Sequence, residues 1–395
     1  MNFLIFVIET IHNSVIMKQI LTTLALVLAL ATGLQAQELA NFARGNQKPV
    51  ISPEIVQDSV VFRLKADYAT IVKLSGSWLP NPWTGTIDMT RGENNVWEVK
   101  VPLPEPEIYT YYFVVDGMAV NDPQNVLVQR DGTRYLPMLT VPGERTENYG
   151  EAKHHGTVSH PWYDSQILGF SRRLSVYTPY GYENNPKKKY PVLYLLHGAG
   201  GDEEAWISMG RAAQILDNLI EKGLAEPMIV VMPNGNPGQQ AARTLNIPEK
   251  QIDWRAPENR DLYVKSLCTE IVPFIEKNFR AIPKPASRAI AGLSMGGGHT
   301  ISASILYPEM FDYICPLSAA GSATPEQIAA LKKAGYKLYW VGCGSDDTLA
   351  YQNTKVLDAA LTRNGMEHTT FISANGHEWR NWRLYLNTFA PLLFK

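Results

Sequence analysis

The feature that most constrains this chain is a short apolar run that ends in a serine set between glycines: Arg288-Ala289-Ile290-Ala291-Gly292-Leu293-Ser294-Met295-Gly296-Gly297-Gly298. It reads as a buried strand turning sharply into a helix, with Ser294 at the turn. A residue on so tight a turn sits in strained backbone geometry, and its neighbours two positions to either side have no room for side chains. Gly292 and Gly296 meet that need. The free N–H groups of the new helix then point toward Ser294, which places the Met295 N–H to hold an oxyanion.

A serine hydroxyl is a weak nucleophile until an imidazole takes its proton and a carboxylate orients that imidazole. Both partner types lie downstream. Residues 337–343 read as a buried strand that runs into Gly344-Ser345-Asp346-Asp347, and residues 368–372 read as a strand that runs into Ala374-Asn375-Gly376-His377-Glu378-Trp379. Serine, acid and histidine in that order, each on a loop after a later strand of one sheet, is the α/β-hydrolase arrangement. The candidate catalytic set is therefore Ser294, Asp347 and His377, with Asp346 left open as a second choice of orienting acid. A further oxyanion donor is expected after an earlier strand. Residues 191–196 read as that strand and end in His197-Gly198-Ala199-Gly200-Gly201. The Ala199 N–H is the first choice and Gly200 the alternative, while His197 reads as a brace for the loop rather than a catalytic group.

The stretches HGAGGDEEAW, GLSMGGG, GCGSDD and GHEW, in this order, resemble the esterase-D-like group of α/β-hydrolases and in particular carbohydrate esterase family 1. That family includes feruloyl esterases and acetylxylan esterases, and the resemblance spans roughly residues 154–395. It implies Ser294 as nucleophile, His377 as general base and then acid, and Asp347, fourth in G-x-x-D, as the orienter. The activity it implies is release of hydroxycinnamic (ferulic) acid from plant cell-wall xylan or arabinoxylan through an acyl-enzyme. An acetylxylan esterase, a siderophore trilactone esterase of the enterochelin type and a non-catalytic glycan-binding protein are the alternatives. Retention of serine, aspartate and histidine together in register argues against the last.

At 395 residues with a net charge of −2, the chain is long enough for two domains and too near neutrality to bind nucleic acid by charge. Its beginning reads as an export signal, best started at Met17: Lys18 is the positive end, residues 20–30 are apolar, and residues 31–36 are small and polar. Cleavage after Ala36 leaves an exported protein, periplasmic or secreted, with no stable membrane span; a longer membrane anchor from Met1 is the alternative, because residues 3–8 are also apolar. A polar linker is expected over 37–54, an all-β domain over 55–142, a charged linker over 143–155 and the hydrolase domain over 156–395. Cys268, Cys315 and Cys343 sit in apolar elements and read as buried free thiols.

Within 55–142, alternating runs at 60–64, 70–74, 96–101 and 109–115 are separated by glycine and proline, the pattern of a β-sandwich. Tyr112-Phe113-Val114-Val115-Asp116-Gly117 followed by Asn121-Asp122-Pro123-Gln124-Asn125 resembles the immunoglobulin-like modules of carbohydrate-binding module family 48. Trp97 reads as core, whereas Trp78 and Trp83 flank a proline-rich loop and are candidates to stack on a sugar or lean over the active site. In the hydrolase domain, residues 233–257 form a long Asn-, Gly- and Gln-rich segment, expected to wall the substrate cleft. Trp206, Trp254 and Trp379 are further cleft candidates, and Trp382 reads as packing around the triad. No metal site is expected from His154, His155 and His160, which sit in and beside a linker, and no cofactor is implied. Oligomeric state leaves no mark in the sequence.

Overall fold

The structure is a computed structural model, and it describes residues 50–81, 84–242, 250–253, 256–259 and 261–395. The expected export signal and most of the first linker lie outside the described residues, as do Trp83 and Trp254. Residues Ser52–Lys395 make one compact unit.

The amino-terminal strands are β1 (Glu54–Val56), β2 (Ser59–Lys65), β3 (Val72–Gly76), β4 (Ile87–Asp88), β5 (Thr90–Arg91), β6 (Val96–Pro102), β7 (Ile108–Val115), β8 (Met118–Val120), β9 (Val128–Asp131) and β10 (Arg134–Thr140). They form two sheets, β1-β2-β6-β5 and β4-β3-β7-β10-β9, with β8 added to β7. Alternation builds the core between them: Val60, Phe62 and Leu64 of β2 and Trp97 of β6 meet Tyr109, Tyr111 and Phe113 of β7. Asp116 and Gly117 both have positive φ, which suits the tight turn between β7 and β8. This is an immunoglobulin-like sandwich.

The remaining strands, β11 (Thr157–Ser159), β12 (Trp162–Ser165), β13 (Phe170–Thr178), β14 (Val192–Leu196), β15 (Ile229–Pro233), β16 (Arg288–Leu293), β17 (Tyr313–Leu317), β18 (Leu338–Gly344) and β19 (Thr369–Ser373), form one sheet. Its order is β11-β13-β15-β14-β16-β17-β18-β19, with β12 also paired to β13. β13 runs antiparallel to β15, and the strands from β15 to β19 are parallel. Every residue of β14, β15 and β17 is buried, because helices cover both faces. Along β14, Val192, Tyr194 and Leu196 face one apolar cluster while Leu193 and Leu195 face the other.

The helix Pro325–Ala334 opens with the capping box its sequence suggests: Gln327 N–H donates to Thr324 Oγ1, and Thr324 N–H donates to Gln327 Oε1. Cys268, Cys315 and Cys343 are buried free thiols, and burial pushes Cys268 up to about 12. No helix among the described residues is long and apolar enough to cross a membrane.

The segment read as a linker between the domains is not a loose tether. Tyr149 is buried, Asn148 Nδ2 donates to Asn387 Oδ1 at 2.7 Å, and Arg145 pairs with Glu107 at 2.8 Å. Its polar groups find partners on the helix Trp379–Phe389 and on the sandwich.

Candidate active site

Ser294 stands between β16 and the helix Met295–Leu306 with φ 54° and ψ −114°, a conformation that side-chain-bearing residues rarely adopt. Packing holds it there. A Cβ on Gly296 would lie 2.6 Å from His197 O and 2.7 Å from Leu196 O, so the helix start is pressed against the end of β14 and only glycine fits. The Ser294 N–H donates to Leu317 O at 2.9 Å, tying the turn to the end of β17.

The neighbouring loops are tied in the same way along the carboxyl edge of the sheet. Ser318 N–H donates to Gly342 O, Ser345 N–H to Ser373 O, and Asp346 N–H to Asn375 O. This chain of contacts brings the loops after β16, β17, β18 and β19 to one edge, where ligands of open α/β sheets bind. There His377 Nδ1 donates to Asp347 Oδ2 at 2.9 Å. Asp347 is wholly buried and its other oxygen accepts from the N–H groups of Leu349 (3.1 Å) and Ala350 (2.9 Å), an environment that suits a fixed carboxylate. Asp346 is exposed, and among the described residues its carboxylate accepts only from the Ser345 hydroxyl, at 3.3 Å. The imidazole edge meets Trp382 at 5.0 Å and 88°, and the Trp382 indole N–H donates to Ser318 Oγ. Trp382 therefore packs, bracing the ring between two loops. The Ser294 hydroxyl makes no hydrogen bond among the described residues.

His197 braces the loop after β14. Gly235 N–H donates to its Nε2 at 2.7 Å, so the proton sits on Nδ1, which donates to Gly198 O at 2.7 Å. Burial lowers its pKa, and the ring stays neutral. A Cβ on Gly198 would stand 3.1 Å from Ser294 Cβ, so this loop lies against the turn. The N–H groups of Ala199 and Met295 make no hydrogen bond among the described residues and flank the same serine. Gly200 has a positive φ beside them.

The start of the 233–257 segment, expected to wall the cleft, is bound to this loop and to β13. Arg172 donates to Asn234 O and Asn236 O, and Asn234 Nδ2 donates to Glu203 Oε2 at 3.0 Å. Burial raises the pKa of Glu203, opposed by Ala242 N–H and Arg173. Residues 243–249, and with them much of the expected cleft wall, lie outside the described residues.

Two tryptophans differ from expectation. Trp206 is 1 % exposed and donates its indole N–H to Leu196 O, so it belongs to the core beneath the loop and has no face for a substrate. Trp78 folds back onto the sandwich, stacked on Phe62 at 5.4 Å, which leaves its ring engaged by its own domain. Trp379 is half-buried, edge-on to Trp206 and Trp382, and lines a cavity of about 130 Å³ with Ser77, Gln129 and Glu378.

A strand-turn-helix serine, a half-buried histidine paired with a buried aspartate and two free N–H groups on a mostly parallel sheet define an α/β-hydrolase equipped for acyl transfer. The profile of the family described as "Putative esterase" matches residues 165–391, and the chain belongs to that family. It is 34 % identical over 320 residues to the endo-1,4-beta-xylanase/feruloyl esterase of Xylanibacter ruminicola, covering 79 % of this chain and 42 % of that protein. It is 30 % identical over 256 residues to endo-1,4-beta-xylanase Y of Acetivibrio thermocellus, covering 57 % and 22 %. The chain thus spans less than half the length of these relatives. A ferulic acid esterase structure matches at 27 % identity and TM-score 0.52, covering 60 % of this chain and 98 % of that one. The enterobactin esterase of Shigella flexneri shares the fold over 86 % of this chain and 94 % of its own, at 16 % identity and TM-score 0.59.

Proposed function

We propose that this protein is an exported serine esterase that releases ferulic and related hydroxycinnamic acids from feruloylated arabinoxylan of plant cell walls. Ser294 Oγ attacks the ester carbonyl while His377 Nε2 takes its proton, and the alcohol leaves with that proton returned to it. Water then enters by the same route and frees the acid from the acyl-enzyme. Asp347 keeps His377 in the tautomer that presents a bare Nε2 and stabilises the imidazolium formed on attack. The N–H groups of Met295 and Ala199 hold the oxyanion, where a preorganised donor contributes about 10²–10³ in rate.

The observation that carries the mechanism is the 2.9 Å contact from His377 Nδ1 to wholly buried Asp347, on loops at the same sheet edge as Ser294. For the substrate, the support is the likeness to a xylanase/feruloyl esterase over 79 % of this chain. Methyl ferulate and a simple aryl acetate, each offered to residues 37–395 and to Ser294→Ala, test the reading. Ferulate cleavage that falls by several orders of magnitude in the variant is expected. Serine-dependent activity on acetate alone moves the substrate to acetylxylan, and no serine-dependent activity on either ester overturns the proposal.

A further inference from the structure

The loop carrying Ala199 is short and suspended between two anchors. One is His197, which belongs to the hydrolase domain. The other is Asp202, nearly fully buried, which accepts Glu204 N–H on Oδ1 and closes the loop into the next helical turn. The cation that neutralises Asp202 comes from the other domain. Arg130, on β9 of the sandwich, reaches across so that its Nη2 meets Asp202 Oδ1 at 2.6 Å and Glu204 Oε2 at 3.4 Å. Its Nη1 donates to Gly132 O at 3.0 Å, and its own backbone N–H donates to Ser208 Oγ at 2.6 Å. Both ends of the arginine are therefore fixed, and its guanidinium is only 10 % exposed. Among the described residues, Arg130 is the one cation paired with Asp202. The nearby Arg173 pairs with Glu203 and Glu204 instead.

We propose that Arg130 is a positioning residue of the esterase reaction: acting through Asp202, the sandwich holds residues 198–201 so that Ala199 N–H stays aimed at the oxyanion. The inference rests on the reading of that N–H as an oxyanion donor. Without Arg130, Asp202 is a carboxylate in protein surroundings with no counter-charge. It relieves this by turning out to water, and that movement shifts a backbone three residues from the donor. The sandwich is then part of the catalytic unit, whether or not it also touches polysaccharide. Ground-state binding of a small ester does not use this contact, so the loss falls on turnover.

The test uses the chain from residue 37 onward with a small aryl acetate, a substrate too short to reach from the serine to the sandwich surface. Arg130→Ala, Arg130→Lys, Asp202→Asn and the Arg130→Ala/Asp202→Asn double variant are compared. Active sites are counted by the acyl burst, so that unfolded protein does not enter the rate. Expected is a fall in kcat per titrated site of about ten- to a hundredfold in Arg130→Ala and Asp202→Asn, a fraction of what loss of a whole oxyanion donor causes. KM should change less than about threefold, Arg130→Lys should recover part of the rate, and the double variant should be no worse than the poorer single one. If Arg130→Ala does not fold, Asp202→Asn keeps the shape of the loop and carries the decision. A kcat per site within twofold of wild type in Asp202→Asn and in any folded Arg130 variant, even with a lowered Tm, reduces the pair to a structural bolt and overturns the inference. Should Ser294→Ala retain full activity in the same assay, it is the esterase reading that fails.

Discussion

His377 Nδ1 sits 2.9 Å from Asp347 Oδ2, while Asp346, one residue earlier on the same loop, is exposed and meets the Ser345 hydroxyl instead. Two adjacent acids thus have unequal access to one histidine, and burial separates them. A carboxylate closed off from water and fixed by two backbone N–H groups orients a ring better than one free to rotate in solvent.

Asp347→Asn should keep the loop geometry and present the wrong imidazole tautomer to Ser294, lowering kcat by about 10³–10⁴. Asp346→Asn should leave kcat within about twofold of wild type. Steady-state kinetics on one soluble ester at pH 7.5 decides between them. Equal losses in the two variants would sink the assignment of Asp347.

Gly296→Ala tests the packing behind the serine turn. Its new Cβ meets two carbonyl oxygens, His197 O and Leu196 O, and neither is a side chain that can swing aside. Strain of this kind costs about 1–3 kcal/mol, and relief by backbone movement displaces Ser294 and Ala199 together. A lower urea midpoint with near-complete loss of ester turnover is expected. Wild-type turnover in the variant would show that the turn yields without harm to the site.

How much of this was legible beforehand follows from what each contact depends on. The turn at Ser294 and the strands ahead of Asp347 and His377 are local patterns of glycine and β-branched residues, so sequence reveals them. The G-x-x-D resemblance favours Asp347 over Asp346, but the physical reason, burial of one carboxylate and exposure of the other, is not written in the spacing. Trp206 and Trp78 read as cleft aromatics because an aromatic near a loop looks the same whether its ring turns in or out. Leu196 O and Phe62 decide that question, ten and sixteen residues away. Least legible are Arg130 with Asp202 and Glu107 with Arg383. Their partners lie 72 and 276 positions apart, on elements with no shared periodicity.

Glu107 should be the most sensitive position of the interface between the domains. Its buried carboxylate accepts from Arg383 Nη2 at 2.9 Å and pairs with Arg145 at 2.8 Å. Glu107→Gln leaves the buried Arg383 guanidinium facing a neutral amide, and breaking such a pair from one side costs about 3–5 kcal/mol. Urea unfolding followed by tryptophan fluorescence and by far-ultraviolet circular dichroism should give one coincident transition, shifted down by that amount. A change below about 1 kcal/mol would mean that the apolar contacts around Ile108 and Tyr149 hold the domains together without the ion pairs.

Acid should weaken the fold before it reaches the carboxylates. Burial lowers the pKa of His197, and enclosure by protein, with His197 as a neighbour, pushes that of His299 down to about 3. In the unfolded chain both titrate near 6.5. Below about pH 6.5 the unfolded state therefore binds protons that the folded state refuses, and stability falls as pH drops. For a fully buried ring such as His197 the slope is about 1.4 kcal/mol per pH unit until its own folded pKa is reached. His299, which keeps some surface, adds in the same direction. Above about pH 7 neither ring contributes. Urea midpoints measured at pH 7.5, 6 and 5 should decline progressively in the wild type. They should decline less steeply in His299→Gln, which removes one of the two titrations while leaving Ser294, Asp347 and His377 untouched. A wild-type midpoint that stays level from pH 7.5 to 5 would show that both rings take up protons in place, with the contacts from Gly235 N–H to His197 and from Tyr263 to His299 giving way at little expense to the fold.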